Sequence, residues 1–436
     1  MNIPYSRHTL DNGLDVLIHE DHGCPIVAVN VWYHVGSKNE TPGRTGFAHL
    51  FEHLMFEGSQ HYDKGYFHPL QEAGALLNGS TNADRTNYWE VVPTNAFELA
   101  LWMESDRMGY LLPALTSAKF ENQREVVLNE RRQNYENRPY GFANMALMSS
   151  LYPTDHPYSW MTIGAAEDIR AAQLDDVRAF FQTYYRPRNA SLALAGDIDT
   201  DGALELATRY FGDLEAGDEP PPVHAVERSS FMVERRLMLE DRVELPRLYI
   251  AWHSPAIFAS DDADLDLVAE VLASGKTSRL YRTLVYEQRM ATEIAASQSS
   301  REIGGYFQII ATAAPGRTLT ELEQAISDAI EVFVGEGPTA PEMERCQAQA
   351  EANFVFRLQT VGGFGGKSDQ LNAYNVFVGD PGFFERDLDR YRRVTGGSMQ
   401  RVAREWLQAD RRVILSVVPR GRSDVALAGS LPVAVS

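Results

Sequence analysis

The pentapeptide His49-Leu50-Phe51-Glu52-His53, within GRTGFAHLFEHLMFEGS, holds the residue types of a hydrolytic metal site. On a helix turning ~100° per residue, Glu52 falls about 60° to one side of His49 and His53 about 40° to the other, so all three share a face. Two imidazoles one turn apart can bind a single Zn²⁺, and a carboxylate beside them can take a proton from the metal's water. So short a pattern also arises by accident, and a catalytic zinc needs three protein ligands and an open position. No third His or Cys extends the motif at helical spacing, which points to a carboxylate from another helix. Glu130 is the candidate: it lies in FENQREVVLNERRQNYENR, where Phe120, Val126, Val127 and Tyr135 among abundant charge read as an amphipathic helix.

These residues need a frame to bring them together. Residues 8–35 alternate apolar and polar in two runs, LDVLIHE and PIVAVNVWYHV, around the turn-prone Asp21-His22-Gly23, and read as a strand pair. The helix bearing the histidines is expected to end near Gly58. A short helix follows at 66–73, then strands at Ala75–Thr81 and Thr86–Pro93, helices over 94–111, 117–138 and 170–185, and a strand at 190–196. That order predicts an α+β layer, a mostly antiparallel sheet with helices on one face. GDLEAGDEPPPVHAVERSS, with three consecutive prolines and little to bury, marks a linker at 212–230 between a domain at 1–211 and another at 231–436.

Downstream the elements recur: strands over 231–252, helices at 261–273 and 276–289, strands at 292–300 and 304–313, then long helices. VAREWLQADRRVILSVVP near the end parallels FFQTYYRPRNASLALAGD, which predicts two homologous domains. Aligning HLFEHLMFEG with DLVAEVLASG sets His49 on Asp266, Glu52 on Ala269 and His53 on Glu270. The second domain is therefore expected to hold no zinc.

The order HxxEH, the inverse of HExxH, is the inverzincin signature. With it the chain resembles the pitrilysin, insulin-degrading enzyme and mitochondrial processing peptidase family, in which the third ligand is a Glu with seventy-six residues between it and the second His, as separate His53 from Glu130 here. LDNGLDVLIHED, LLNGSTNADRTNYWEVVP and YYRPRNASLALAGDID resemble family segments too, and the likeness runs over nearly the whole chain. It implies a zinc metalloendopeptidase with one Zn²⁺ per chain on His49, His53 and Glu130, and Glu52 as the base. The family's Glu seven residues before the ligand Glu is Gln123 here, which can still accept a hydrogen bond from an imidazole. Asn78, Gly79, Ser80 and Thr81 resemble the edge strand that pairs with substrate. An Arg and a Tyr that family members carry six residues apart fall on Val285 and Thr292 and are missing. The resemblance thus implies a chamber completed by a homologous subunit that lacks zinc and supplies that pair, or else a homodimer. The competing reading is a non-catalytic peptide-binding or structural member of the same fold.

Other chemistries fit less well. Gly275-Lys276-Thr277 and Gly366-Lys367-Ser368 end like a phosphate loop, but Glu270 and Val361 stand where its first glycine belongs. VGGFGGKSDQ reads instead as a break in a helical region near residue 362. His61, His68, His156, His224 and His253 have no ligand spacing, and Ser80 sits in no nucleophile elbow. A net charge of −20 argues against nucleic acid as a partner; it leaves room for basic peptides as substrates, although a solvated acidic surface accounts for most of it. No apolar run reaches the length of a membrane span. Met1-Asn2-Ile3-Pro4 lacks the basic start and apolar stretch of an export signal, which leaves two compartments open: the cytoplasm, or the periplasm if a signal has been removed. Cys24 and Cys346 are expected to be buried free thiols.

Overall fold

The computed structural model of the protein describes residues 2–223 and 233–435. Six strands of the first half, β1 (Ser6–Thr9), β2 (Asp15–Glu20), β3 (Ile26–Tyr33), β4 (Leu76–Thr81), β5 (Thr86–Pro93) and β6 (Ala190–Gly196), form one sheet in the order β1-β2-β6-β3-β5-β4. Only β2 and β6 run parallel. β2 and β3 are consecutive and were expected to pair, but β6 lies between them, pairing Val16 with Leu192 on one side and Val29 with Leu194 on the other. The reason is composition: Ala190–Gly196 is buried at every position, as only a central strand can be.

The second half repeats the arrangement. Strands β7 (Arg235–Asp241), β8 (Arg247–Ser254), β9 (Ala291–Ser299), β10 (Gly305–Ala313), β11 (Val413–Pro419) and β12 (Leu431–Pro432) stand in the order β12-β7-β11-β8-β10-β9. β7 to β11 take the places of β2, β3, β4, β5 and β6 with the same relative directions. The protein is thus an α+β fold of two like sheets, each mostly antiparallel and each carrying helices. The helix expected over 117–138 runs Ser117–Arg131 and continues as a wider turn over Arg132–Glu136, and that over 170–185 divides into Ala166–Ala171 and Leu174–Tyr184. Two helices escaped the periodicity, Ala143–Leu151 and Thr200–Phe211. Among the described residues no helix is long and apolar enough to cross a membrane.

By packing, the chain forms two compact units, one of Met1–Glu130, Met161–His224 and Asn353–Arg386, the other of Arg131–Trp160, Ala225–Ala352 and Asp387–Ser436. The proline-bearing stretch at 212–230 runs into residues 224–232, which lie outside the described ones. The glycine loop does interrupt the helices, between Ala340–Arg357 and Lys367–Val378, with Gly363 and Gly365 both at positive φ. It delivers the helix Lys367–Val378 to the first sheet, against β3 and β6.

Asp369 fixes that helix. Its buried carboxylate accepts from Trp32 Nε1 at 2.8 Å, Asn87 Nδ2 at 3.2 Å, Asn30 Nδ2 at 3.3 Å and, on its other oxygen, the Gly365 amide at 2.8 Å. Removing the acceptor leaves several buried donors without a partner, each costing about 1–3 kcal/mol. Asp369→Ala should therefore lower the urea midpoint of the first unit by the equivalent of about 3 kcal/mol, read from tryptophan fluorescence; an unchanged midpoint would mean that water replaces the carboxylate.

Candidate metal centre

The helix Phe47–Leu54 buries Phe47, Ala48, Leu50, Phe51 and Leu54 and turns His49, Glu52 and His53 away from that core. Phe51 stacks on Phe180, Phe181 and Tyr185. The helix begins at Gly46, whose φ of 89° is a left-handed conformation that glycine adopts freely, and where a Cβ would stand 2.9 Å from the Ile163 carbonyl oxygen. Its first amides are capped by the buried Glu40 carboxylate, which accepts from Gly46 N at 2.9 Å and Ala48 N at 2.8 Å. Thr45, just ahead, is held by Asp168 through both its amide and its hydroxyl. The motif helix is thus clamped at its start and along its apolar side.

Glu130 reaches the same spot from the helix Ser117–Arg131. Its Oε2 lies 3.3 Å from His53 Nε2 and 3.6 Å from His49 Nε2, and the ligand atoms of the three residues all lie within 4.8 Å of one another. Tetrahedral zinc with bonds of about 2.0–2.1 Å sets its ligands roughly 3.3–3.4 Å apart. The two Glu130 distances are close to that spacing and the two imidazole nitrogens lie within 4.8 Å of each other, a set of donors that suits such an ion. Burial, and then the neighbouring His53, push His49 down to about 4, against the pull of Glu130, so its ring is neutral at pH 7. His53 moves the other way: burial would lower it, but the bond to Glu130 and the charge of Glu52 hold it up. Glu52 is raised, first by burial and further by Glu130, while the Thr81 hydroxyl, His53 and Arg85 oppose the rise.

Gln123 hydrogen-bonds the His53 ring and donates its amide to Glu57. Thr81, at the end of β4, bonds Glu52, so the motif helix and the edge strand meet there. Among the described residues β4 pairs only with β5 and is an outermost strand of the first sheet. Asn78 folds its side chain back onto the Gly79 amide at 2.8 Å, and Gly79 packs where a Cβ would touch Phe56 and Tyr88 at 3.0 Å. Ser80 receives Arg85 on both its carbonyl and its hydroxyl. Reading the sequence missed Glu40, Glu57 and Arg85. Arg85 sits in the tight connection between β4 and β5, where nothing local signals that it will be buried beside Glu52 and over Trp32.

Val285 lies half-buried in the turn Tyr281–Glu287, and Thr292 is exposed near the start of β9, the edge of the second sheet. His61 bonds Asp106, His68 pairs with Glu72 at 3.3 Å, His156 accepts from the Tyr158 amide, and His253 packs edge-on to Tyr152; His224 is outside the described residues. Lys367, the lysine of one rejected phosphate loop, pairs with Asp21 at 2.5 Å. Of the two thiols Cys346 is buried, and burial pushes it up to about 11. Cys24 is exposed, contrary to expectation, because it sits in the turn ahead of β3.

The fold and this cluster have counterparts among known proteins. The family model described as insulinase (peptidase family M16) matches residues 15–159, and that described as the peptidase M16 inactive domain matches residues 171–350. The chain belongs to the M16 peptidase family. It is 29% identical over 356 residues to the zinc protease PqqE of Helicobacter pylori, spanning 81% of this chain and 80% of that protein. The crystal structure of a protease from Helicobacter pylori superposes with a TM-score of 0.89 at 26% identity, over 95% of this chain and all of that one. A structure from Pseudomonas fluorescens titled as an M16 inactive domain shares the fold, with a TM-score of 0.85 at 18% identity over 99% of this chain and all of that one. Relatives named as zinc proteases make zinc a property of the family.

Within this family frame the two halves differ at all three motif positions. The helix Asp262–Ala273 follows β8 as the motif helix follows β3, and it carries Asp266 where the first half has His49. The Asp266 carboxyl accepts from the Tyr391 hydroxyl at 2.6 Å, and burial, then the charge of Asp262, push it up to about 7. The folded chain therefore keeps this proton over a range in which the unfolded chain, near 3.8, has lost it. The stability tied to the protonated group is complete at acid pH and is lost as pH rises from about 4 to about 7. Asp266→Asn should abolish that loss, so its stability relative to the parent climbs across the window by at most about 1.4 kcal/mol per pH unit. Urea unfolding at pH 5 and pH 8 measures it; parallel pH profiles would remove Asp266 as the source.

Proposed function

We propose that this chain is the zinc-binding subunit of a metalloendopeptidase that hydrolyses peptides or unfolded segments. The observation that carries the reading is the meeting of His49, His53 and Glu130 at ligand spacing, with Glu52 one turn from His49 on the same helix face. A zinc ion with three protein ligands supplies an acidified water, of pKa about 7, and polarises a carbonyl. Glu52 takes the proton of the attacking water and hands it to the leaving amine. Its raised pKa makes it a stronger base than an exposed carboxylate, and the Thr81 hydroxyl fixes its orientation. His49, His53 and Glu130 would hold the ion, and Gln123 braces His53 by a hydrogen bond to its ring. The outer edge of β4, from Asn78 to Thr81, offers main-chain groups to an extended peptide, which supports recognition largely independent of sequence.

Because Val285 and Thr292 stand where an Arg and a Tyr would complete the site, the active form is a heterodimer with a homologous subunit that brings them and needs no zinc of its own. A homodimer is the alternative assembly. A non-catalytic peptide-binding role is the competing function, and metal content alone does not separate it from catalysis.

The deciding test joins metal analysis with turnover. Glu52→Gln should retain about one zinc per chain while kcat on an unstructured peptide falls by about 10²–10⁴-fold, and a chelator should abolish cleavage by the parent chain. Cleavage undiminished in Glu52→Gln would remove that residue from the chemistry. Zinc bound by a parent chain that cleaves nothing, alone or with homologous subunits, would establish the non-catalytic reading. Full activity of this chain as a homodimer would overturn the heterodimer.

A further inference from the structure

A cavity of about 590 Å³ lies in the first unit at the end of β4 away from Thr81, and Leu76, the first residue of that strand, forms one wall. Ile26, Trp89 and Val91 line it from the sheet, and the glycine loop at 359–363 lines it from the other side of the chain. The loop lies close against the sheet, since a Cβ on Gly362 would stand 2.5 Å from Ala28 Cβ and 2.7 Å from Val91 Cγ2. Phe364 stands edge-on to Trp89 at 5.4 Å and is 51% exposed; Leu76 is 71% exposed. The one acid on the lining, Asp21, is already paired with Lys367. The walls are therefore apolar and their charge is satisfied, which suits a large hydrophobic group and gives a charged one no partner.

The alternation of β4 links this cavity to the candidate metal centre. Thr81 points to Glu52 and Gly79 to Phe56, on the face of the motif helix, so Leu76, Asn78 and Ser80 point to the opposite face. Leu76 is abreast of Val91 and Asn78 abreast of Trp89, both residues of the cavity wall. A peptide that adds to the free edge of β4 inherits the same alternation, because residues abreast in neighbouring strands share a face. From Thr81 to Leu76 is five residues, about 17 Å at ~3.4 Å each.

We propose that this cavity is a subsite for one bulky apolar side chain of an extended peptide, five residues along the peptide from the bond positioned at Glu52. The proposal rests on the peptidase reading above for its register, and on the shape and lining of the cavity for its chemistry. It makes the substrate class an extended peptide with a Phe-, Trp- or Leu-sized residue at that remove, where the main-chain pairing of β4 alone would impose no preference.

Two measurements test it, and they separate this inference from the activity it builds on. In the first, quenched peptides with one fixed cleavage site carry Phe, Gly or Asp in turn at each of the seven positions on either side of the bond. Phe should raise kcat/KM about ten-fold over Gly at the fifth position on one side, mainly through KM, and Leu76→Glu should bring that ratio near one. In the second, the Glu52→Gln chain is exposed to a thiol reagent. Cys24 is exposed and lines the same cavity, while Cys346 is buried, so one fast thiol reports the site. The Phe peptide should slow Cys24 modification several-fold, and the Gly peptide of equal length should not. Protection without cleavage by any preparation would sustain the subsite and defeat the peptidase reading. Cleavage with no positional preference and no protection would overturn the subsite and leave the peptidase reading intact. A preference that survives Leu76→Glu unchanged would place the selecting pocket elsewhere.

Discussion

Three donor atoms from two helices must meet within a few ångströms, and the rest of the first unit is arranged to keep them there. A carboxylate and two imidazoles are poor neighbours for a hydrophobic core, since each polar group taken from water needs a partner. The structure answers by making the backbone around them rigid. Glu40 ties off the amides at the start of the motif helix, Thr45 is locked by Asp168, and the aromatic stack under Phe51 fixes the helix's rotation. On the other helix Glu130 comes two residues before a widened turn, Arg132–Glu136. Such irregular turns often accompany functional side chains, because they let the chain change direction without breaking its hydrogen bonds.

A second set of buried charges lies under the strand pair that ends beside Glu52. Arg107, almost wholly buried, packs against Tyr66 and Tyr88, with its guanidinium 3.8 and 4.2 Å from the ring centres, and is paired with buried Glu104. Glu90, on β5, is held well above the usual carboxylate range by burial and by Glu104. A buried ion pair contributes little net stability compared with apolar packing. What it adds here is definition: β5 cannot slide past its neighbours without stranding Glu90, and β4, paired to β5 residue for residue, keeps Thr81 against Glu52.

Much of this was legible in the sequence, for a physical reason. The HxxEH spacing fixes three side chains on one helix face by geometry alone, and β5 and β6 were placed to the residue because each is a short run of strand-forming residues bounded by turn residues. The features that stayed hidden depend on partners far away in the chain. Nothing local says that β6 inserts between β2 and β3, or that a glycine loop at 362–366 carries a helix back so that Asp369 can meet Asn30, Trp32 and Asn87. Glu40 and Arg85 look like ordinary surface charges until tertiary packing surrounds them. Cys24 went the other way, since apolar residue type suggested burial and the turn it occupies exposed it.

The two halves show which constraint is stricter. Five strands of each sheet keep the same order and directions, while the sixth, β1 in one and β12 in the other, is drawn from opposite ends of the chain and pairs in opposite senses. The sheet interior tolerates little change, because a strand buried on both faces has to fill a fixed space. An edge position requires only a backbone with free amides and carbonyls. The helix that follows the third strand position is the same element in both halves, yet its polar residues went from His49 and His53 to Asp266 and Glu270. Asp266 could enter that buried place only with a donor waiting for it, and the Tyr391 hydroxyl is that donor. A half-buried helix position that carries a polar group is costly without a partner, and in the second half the cost is met by the Tyr391 hydrogen bond and by the raised carboxyl of Asp266.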